Sequence, residues 1–183
     1  MNVEYSLGPF CNWFLPSCLD IWSSADGQRV LCSYGARSML CLLNVVNKKS
    51  LKAYDCLNVF ANKSVVSVTR FNKTGPKALK TPLLFIGSND GEAALIDCFT
   101  KSIVYQKNKF QDLDLPSKKI LSSDWSLDND NPIVYYSMHS IIICWNTKTN
   151  VTETLKIGEN YRNKIAISCI CSSSCGGKKL AIG

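Results

Sequence analysis

Phe10-Cys11-Asn12-Trp13-Phe14 sets two large aromatics side by side near the amino terminus, ahead of any strand-like pattern. Aromatic faces outside a core periodicity can stack on unpaired bases, each contact contributing about 1–3 kcal/mol. Arg37, in the turn from Gly35 to Ser38, adds a guanidinium able to pair with phosphate or to lie against a base plane. The alternative use of Trp13 or Phe14 is packing, as a plug in the centre of the fold or beneath a neighbouring element.

Other reactive side chains point to no catalysis. The chain has no phosphate loop of the G-x-x-x-x-G-K-[ST] type, no G-x-S-x-G elbow, no H-E-x-x-H and no G-x-G-x-x-G. General-base chemistry by histidine would fall to His139 alone, in a turn spanning Ser137 to Ser140 without an orienting partner, where a solvated ring is the simpler reading. Asp128 and Asp130 begin like a calcium loop but lack its glycine and closing glutamate, so they read as a polar turn before Pro132. Cys169, Cys171 and Cys175 lack paired C-x-x-C spacing. The ten cysteines, among them Cys32, Cys41, Cys98 and Cys144 inside apolar stretches, read as reduced core residues. Neither an enzyme activity nor a metal or cofactor is expected.

The elements that must carry these residues repeat. Ser64 to Phe71, Leu83 to Gly91, Ala93 to Cys98 and Ser102 to Gln106 read as strand, loop, strand, hairpin turn, strand, turn, strand, with Asp90-Gly91 the strongest hairpin signal. Lys119 to Trp125, Pro132 to Tyr136, Ile141 to Trp145 and Val151 to Leu155 repeat that order. A further copy starts at Lys164 to Cys171 and reaches Leu180 to Gly183, its Ile-Gly lying 96 residues after Ile86-Gly87. An earlier, looser copy from Leu19 to Lys48 turns at Asp26-Gly27, runs through Arg29 to Tyr34, turns again at Gly35 to Ser38 and continues as Met39 to Val46.

Four-stranded units recurring at about 40–45 residues, longer where loops are inserted, are the mark of WD-repeat β-propeller blades. Ile96-Asp97 and Cys144-Trp145, 48 residues from Asp97 to Trp145, stand where the closing Trp-Asp pair would be. The expected fold is therefore all-β, with residues 1–17 an amino-terminal segment and 18–183 a partial propeller. Its units are about 18–58, 63–111, 118–158 and an incomplete 164–183, or three blades and part of a fourth. Propellers close with about four to eight blades, so the chain reads as an amino-terminal piece of a longer protein, with minimal four-bladed closure as the alternative. In such a meander the lead-in to the first strand and the turn between the second and third open on the same side. Trp13, Phe14 and Arg37 should then share one rim.

A net charge of +7 permits anionic partners without forming a basic tail. Lys48, Lys49, Lys52, Lys118 and Lys119 could supply a salt-dependent attraction from loops, though isolated lysines there also serve solubility. Met1 to Gly8 lacks the pattern of a secretory signal, and no run approaches about 18 apolar residues. Cytosol or nucleus is expected, with no membrane span, and the sequons at Asn62, Asn72 and Asn150 then carry no glycan.

Cys11-Asn12-Trp13-Phe14, Cys18 and Gly35-Ala36-Arg37-Ser38-Met39-Leu40-Cys41-Leu42-Leu43-Asn44-Val45 together resemble the start of the gem-associated protein 5 family. Ser67 to Phe71, Ile86-Gly87 through Asp90-Gly91, and Cys169 to Gly183 follow in the order found there. The resemblance implies paired seven-bladed WD-repeat propellers and an RNA-binding subunit of the survival-of-motor-neuron complex. It implies recognition of the Sm site and 7-methylguanosine cap of small nuclear RNA precursors for spliceosomal core assembly, ribosome contact and an influence on translation, and residence in cytoplasm and nuclear gems. Trp13 and Phe14 match the family's RNA-contacting aromatic pair, with Phe14 where the family has tyrosine, and Arg37 matches its turn arginine. Further residues of the family's RNA site fall beyond position 183, so weak RNA binding at most is expected of this stretch alone. The competing reading is a protein-interaction scaffold whose rim grips peptides while Trp13 is packed.

Overall fold

The computed structural model describes residues 18–23, 29–46, 50–61, 63–70, 83–98, 100–107, 114–128, 131–157, 166–172 and 180–183. Over these residues the chain is all-β. The first sheet comprises β1 (Leu19–Ser23), β2 (Arg29–Ala36), β3 (Met39–Val46) and β4 (Ser50–Asn58). The second comprises β5 (Val65–Arg70), β6 (Leu83–Ser88), β7 (Ala93–Asp97) and β8 (Ser102–Lys107), and the third β9 (Ile120–Asp128), β10 (Asn131–Met138), β11 (Ile141–Asn146) and β12 (Val151–Lys156). β13 (Ile170–Ser172) and β14 (Leu180–Ile182) form a two-stranded fourth. Every pairing is antiparallel between sequence neighbours, as in a meander.

Composition explains the layering. The central strands β6 and β7, Leu-Leu-Phe-Ile-Gly-Ser and Ala-Ala-Leu-Ile-Asp, are almost wholly buried, which requires a cover on both faces of their sheet. Leu31, Leu40 and Leu42 of the first sheet pack on Val68, Leu84, Ile86, Ala94 and Ile96 of the second. On its other face, Phe85 and Leu95 meet Val134, Tyr136, Ile143 and Trp145 of the third, the Phe85 and Tyr136 rings lying 5.0 Å apart. Ile142 continues the stack onto Ile167 and Ile170. β8, mostly exposed, is an outer strand.

The first strands lie against one another in the order β1, β5, β9, β13. This is the propeller-like arrangement of sheets fanned around their inner strands. Hydroxyl groups join them. Ser67 and Ser123 share a buried hydrogen bond of 2.8 Å, Thr69 Oγ1 also meets Ser123, and the Trp125 indole donates to the Thr69 carbonyl at 2.9 Å. Between β9 and β13, Ser122 Oγ accepts from Ile170 N at 3.2 Å, and Asp124 accepts from Ser172 N at 2.6 Å.

The expected strands are found, with differences; β2 extends through Gly35 and Ala36, expected in the turn, and β9 extends to Asp128. β4, for which the sequence pattern marks no bounds, completes the first sheet. In the fourth unit the expected strand over 164–171 is β13, three residues long. The pair equivalent to Ile96-Asp97 is Trp145-Asn146, one residue later than Cys144-Trp145. Asp97 Oδ1 accepts from Thr100 N at 3.0 Å, and Asn146 Oδ1 accepts from Lys148 N and Thr149 N at 3.0 and 3.1 Å, each before a residue at positive φ, Lys101 and Asn150. A short side-chain acceptor is what organises that turn, and tryptophan cannot supply it. Trp145 is instead buried, donating to Asn150 Oδ1 at 3.1 Å, with Lys107 Nζ from the second sheet 5.6 Å from its ring centroid. Of the cysteines read as core, Cys41 and Cys98 are buried while Cys32 and Cys144 are half-buried; Cys169 and Cys171 are exposed.

Glycine sets how closely neighbouring sheets approach. A Cβ on Gly87 would lie 2.7–2.9 Å from three carbons of buried Ile120, at the start of the next sheet. Because a branched side chain in a packed site cannot yield that space without moving the strand, Gly87→Ala is expected to lower stability by about 1–3 kcal/mol. Urea unfolding measures it; an unchanged midpoint would show that the sheets tolerate wider spacing.

Candidate nucleic-acid interface

β1 begins where β2 ends. Leu19 pairs with Tyr34, and the Gly35 amide donates to the Cys18 carbonyl at 3.0 Å. The chain therefore arrives at Cys18 on the same rim as the turn that follows Ala36. Gly35 is required there, since a Cβ would sit 2.4 Å from Cys18 Sγ and 2.8 Å from Val65 Cγ1. Cys18 is buried and its thiol donates to the Val65 carbonyl at 3.2 Å, tying the lead-in of the first sheet to the start of the second.

Arg37 and Ser38 form a two-residue turn between Ala36 and Met39, which are register partners. Such loops demand positive φ at central positions, and Arg37 takes φ 54°. A long side chain in the left-handed region costs about 1–2 kcal/mol. The Arg37 carbonyl accepts from Val65 N at 2.7 Å, so the turn is fixed against the next sheet, while the residue is exposed. His139 holds the same position in the third sheet, at φ 48°, its carbonyl accepting from Ile167 N at 2.8 Å. His139 is not the fully solvated ring expected: its residue is half-buried, and Nδ1 is buried with no hydrogen-bond partner.

The rim continues across the sheets. Lys63, just before β5, holds Asp90 at 2.9 Å and Glu92 at 2.8 Å across the β6–β7 turn. The hydrogen bond to Glu92, then that to Asp90, keeps its ammonium protonated above the ordinary lysine range. The stabilisation from this pairing is therefore in place throughout the neutral range and is lost as pH rises through the raised value. Lys63 is thereby committed to carboxylates. Lys118 and Lys119 precede β9 at the same end, with the Lys118 carbonyl 3.3 Å from where a Cβ on Gly91 would stand. Lys52 lies in β4, and Lys48 and Lys49 fall outside the described residues.

Of the three candidate contacts, Arg37 is described; Trp13 and Phe14 lie outside the described residues. Sequence reasoning missed a hollow of about 530 Å³ on the face of β10–β12 turned from the second sheet, lined by Tyr135, Cys144, Asn146, Val151, Glu153 and Leu155. Alternation in β12 marks that face, with Val151 and Leu155 both exposed. Among the described residues no three metal-ligating side chains gather, and no helix is long and apolar enough to cross a membrane. No protein-family model and no curated protein matches the chain.

Arg37 is held in place by its backbone. Arg37→Gly removes the guanidinium while fitting the turn, and is expected to leave stability within about 1 kcal/mol of the parent. Thermal and urea unfolding test this; a larger loss would make Arg37 a structural residue.

Proposed function

We propose that the chain is an RNA-recognition module built as part of a WD-repeat propeller, of three blades and part of a fourth, with its RNA contacts on the Arg37 rim. The observation that carries the reading is the bond from Gly35 N to Cys18 O, which brings the residue four positions after Phe14 to within two positions of an exposed arginine held at positive φ. Stacking by Trp13 and Phe14, a cation from Arg37, and a diffuse field from Lys118 and Lys119 are the groups that single-stranded RNA recognition uses. Turns organised by Asp97 and Asn146 at the close of β7 and β11, with Trp145 before Asn146, support the WD-repeat assignment.

On this reading the ligand is small nuclear RNA, through its Sm site and 7-methylguanosine cap. The partners are other subunits of the survival-of-motor-neuron complex and the ribosome, and the module works in cytoplasm and nuclear gems. Its mechanism is recognition without bond making. The likeness of its amino-terminal Asn-Trp-aromatic and Ala-Arg-Ser segments to the gem-associated protein 5 family supports that choice of RNA.

Binding of capped and uncapped Sm-site RNA separates this from a peptide-gripping scaffold. Trp13→Ala is expected to weaken binding by about 1–3 kcal/mol and Arg37→Gly by at least about 1 kcal/mol, with the salt dependence reduced for the latter. Binding untouched by both substitutions in folded protein would favour the scaffold.

A further inference from the structure

Cys41 and Cys56 face each other across β3 and β4, their sulfurs 3.5 Å apart. Two features of the sheet put them there. The ladder between β3 and β4 shifts at Asn44/Val45; without that bulge Asp55, not Cys56, would stand opposite Cys41. The two-residue turn at Arg37-Ser38 makes Ala36 and Met39 the hydrogen-bonded closing pair of the β2–β3 hairpin, so Met39 and Cys41 direct their backbone polar groups toward β2. Toward β4, Cys41 and Cys56 are then a non-hydrogen-bonded pair. In such pairs Cα atoms lie about 4.5 Å apart with side chains close, inside the about 4.4–6.8 Å that a disulfide spans.

We propose that Cys41 and Cys56 form a redox-modification site, a cross-strand dithiol that closes reversibly to a disulfide with a low-molecular-weight disulfide as oxidant. Cys41 is fully buried and Cys56 exposed, which fixes the order of events. The Cys56 thiolate attacks one sulfur of oxidised glutathione, forming a mixed disulfide and releasing one glutathione thiolate, which takes up the proton Cys56 gave to solvent. Cys41, losing its proton to solvent, then attacks Cys56 Sγ and expels the second glutathione thiolate, which is protonated in turn. Two cysteine thiols and one oxidised glutathione give one protein disulfide and two reduced glutathiones, so two electrons leave the protein. The sulfurs must close from 3.5 Å to about 2.0 Å, within the reach of a χ1 adjustment on paired strands. In a reducing compartment the pair stays open, and an exposed cysteine beside a resolving one serves there as a sensor rather than a staple. The clasp joins the outer strand to the strand leading away from Arg37.

The full chain, incubated in glutathione buffers of graded oxidised fraction, alkylated and digested with trypsin, tests the site. Cleavage at Lys48, Lys49 and Lys52 separates the two cysteines. The expected product is peptide 38–48 joined to 53–63, growing with oxidised fraction, reversed by reductant and absent in Cys56→Ser. Phenylarsine oxide, which bridges adjacent thiols, should protect both cysteines from alkylation at one equivalent, a protection lost in Cys56→Ser. Accumulation of the Cys56–glutathione mixed disulfide with Cys41 still a thiol, or linkage of either cysteine to a different partner, would overturn the proposal.

Discussion

The second and third sheets are apolar on both faces, and no four-stranded meander can bury two faces by itself. Val68, Leu84 and Ile86 need the first sheet, and Phe85 and Leu95 need the third. That demand for cover on both sides forces the sheets into a stack and sets their spacing at Gly35 and Gly87, where a single added carbon would collide with the neighbour. The first strands, closest together, exchange hydrogen bonds between sheets through Ser67, Thr69, Ser122 and Ser123. Serine suits the position because it satisfies buried polar backbone without demanding volume.

The rim that carries Arg37 is a consequence of this stacking. In the first sheet the lead-in to the first strand meets the turn between the second and third strands, and that turn reaches the next sheet. Arg37 bonded to Val65 and His139 bonded to Ile167 are the same junction made twice. Arginine at a left-handed turn position is an unfavourable choice for the backbone alone, where glycine or asparagine would sit with less strain. Lys63, on the same rim, is drawn into its pair of carboxylates.

Much of the fold was legible because propeller-like sheets are written in local turn chemistry. Asp90-Gly91 and Gly35 to Ser38 mark turns regardless of what packs on them. The misreading of Cys144-Trp145 arose because hydrophobic residues in β11 run continuously, so only the capping acceptor, Asn146, distinguishes the register. β4 is hard to read from sequence because a lysine and an aspartate interrupt its apolar residues, as suits an edge strand. The Cys41–Cys56 contact was not legible at all, since it depends on one bulge residue that shifts the ladder. Of the candidate site, topology alone gave the rim shared by Arg37 and the lead-in to β1. The burial of His139 Nδ1 needed the third dimension.

Hydrogen–deuterium exchange of the full chain with and without capped Sm-site RNA tests whether RNA sits on the Arg37 rim, because it locates the ligand without altering any residue. RNA bound on that rim slows exchange at the turn from Gly35 to Met39 and at the lead-in to β9 around Lys118 and Lys119. Protection confined to β10–β12 around Tyr135, Val151 and Leu155, or no protection at saturating RNA, would contradict it.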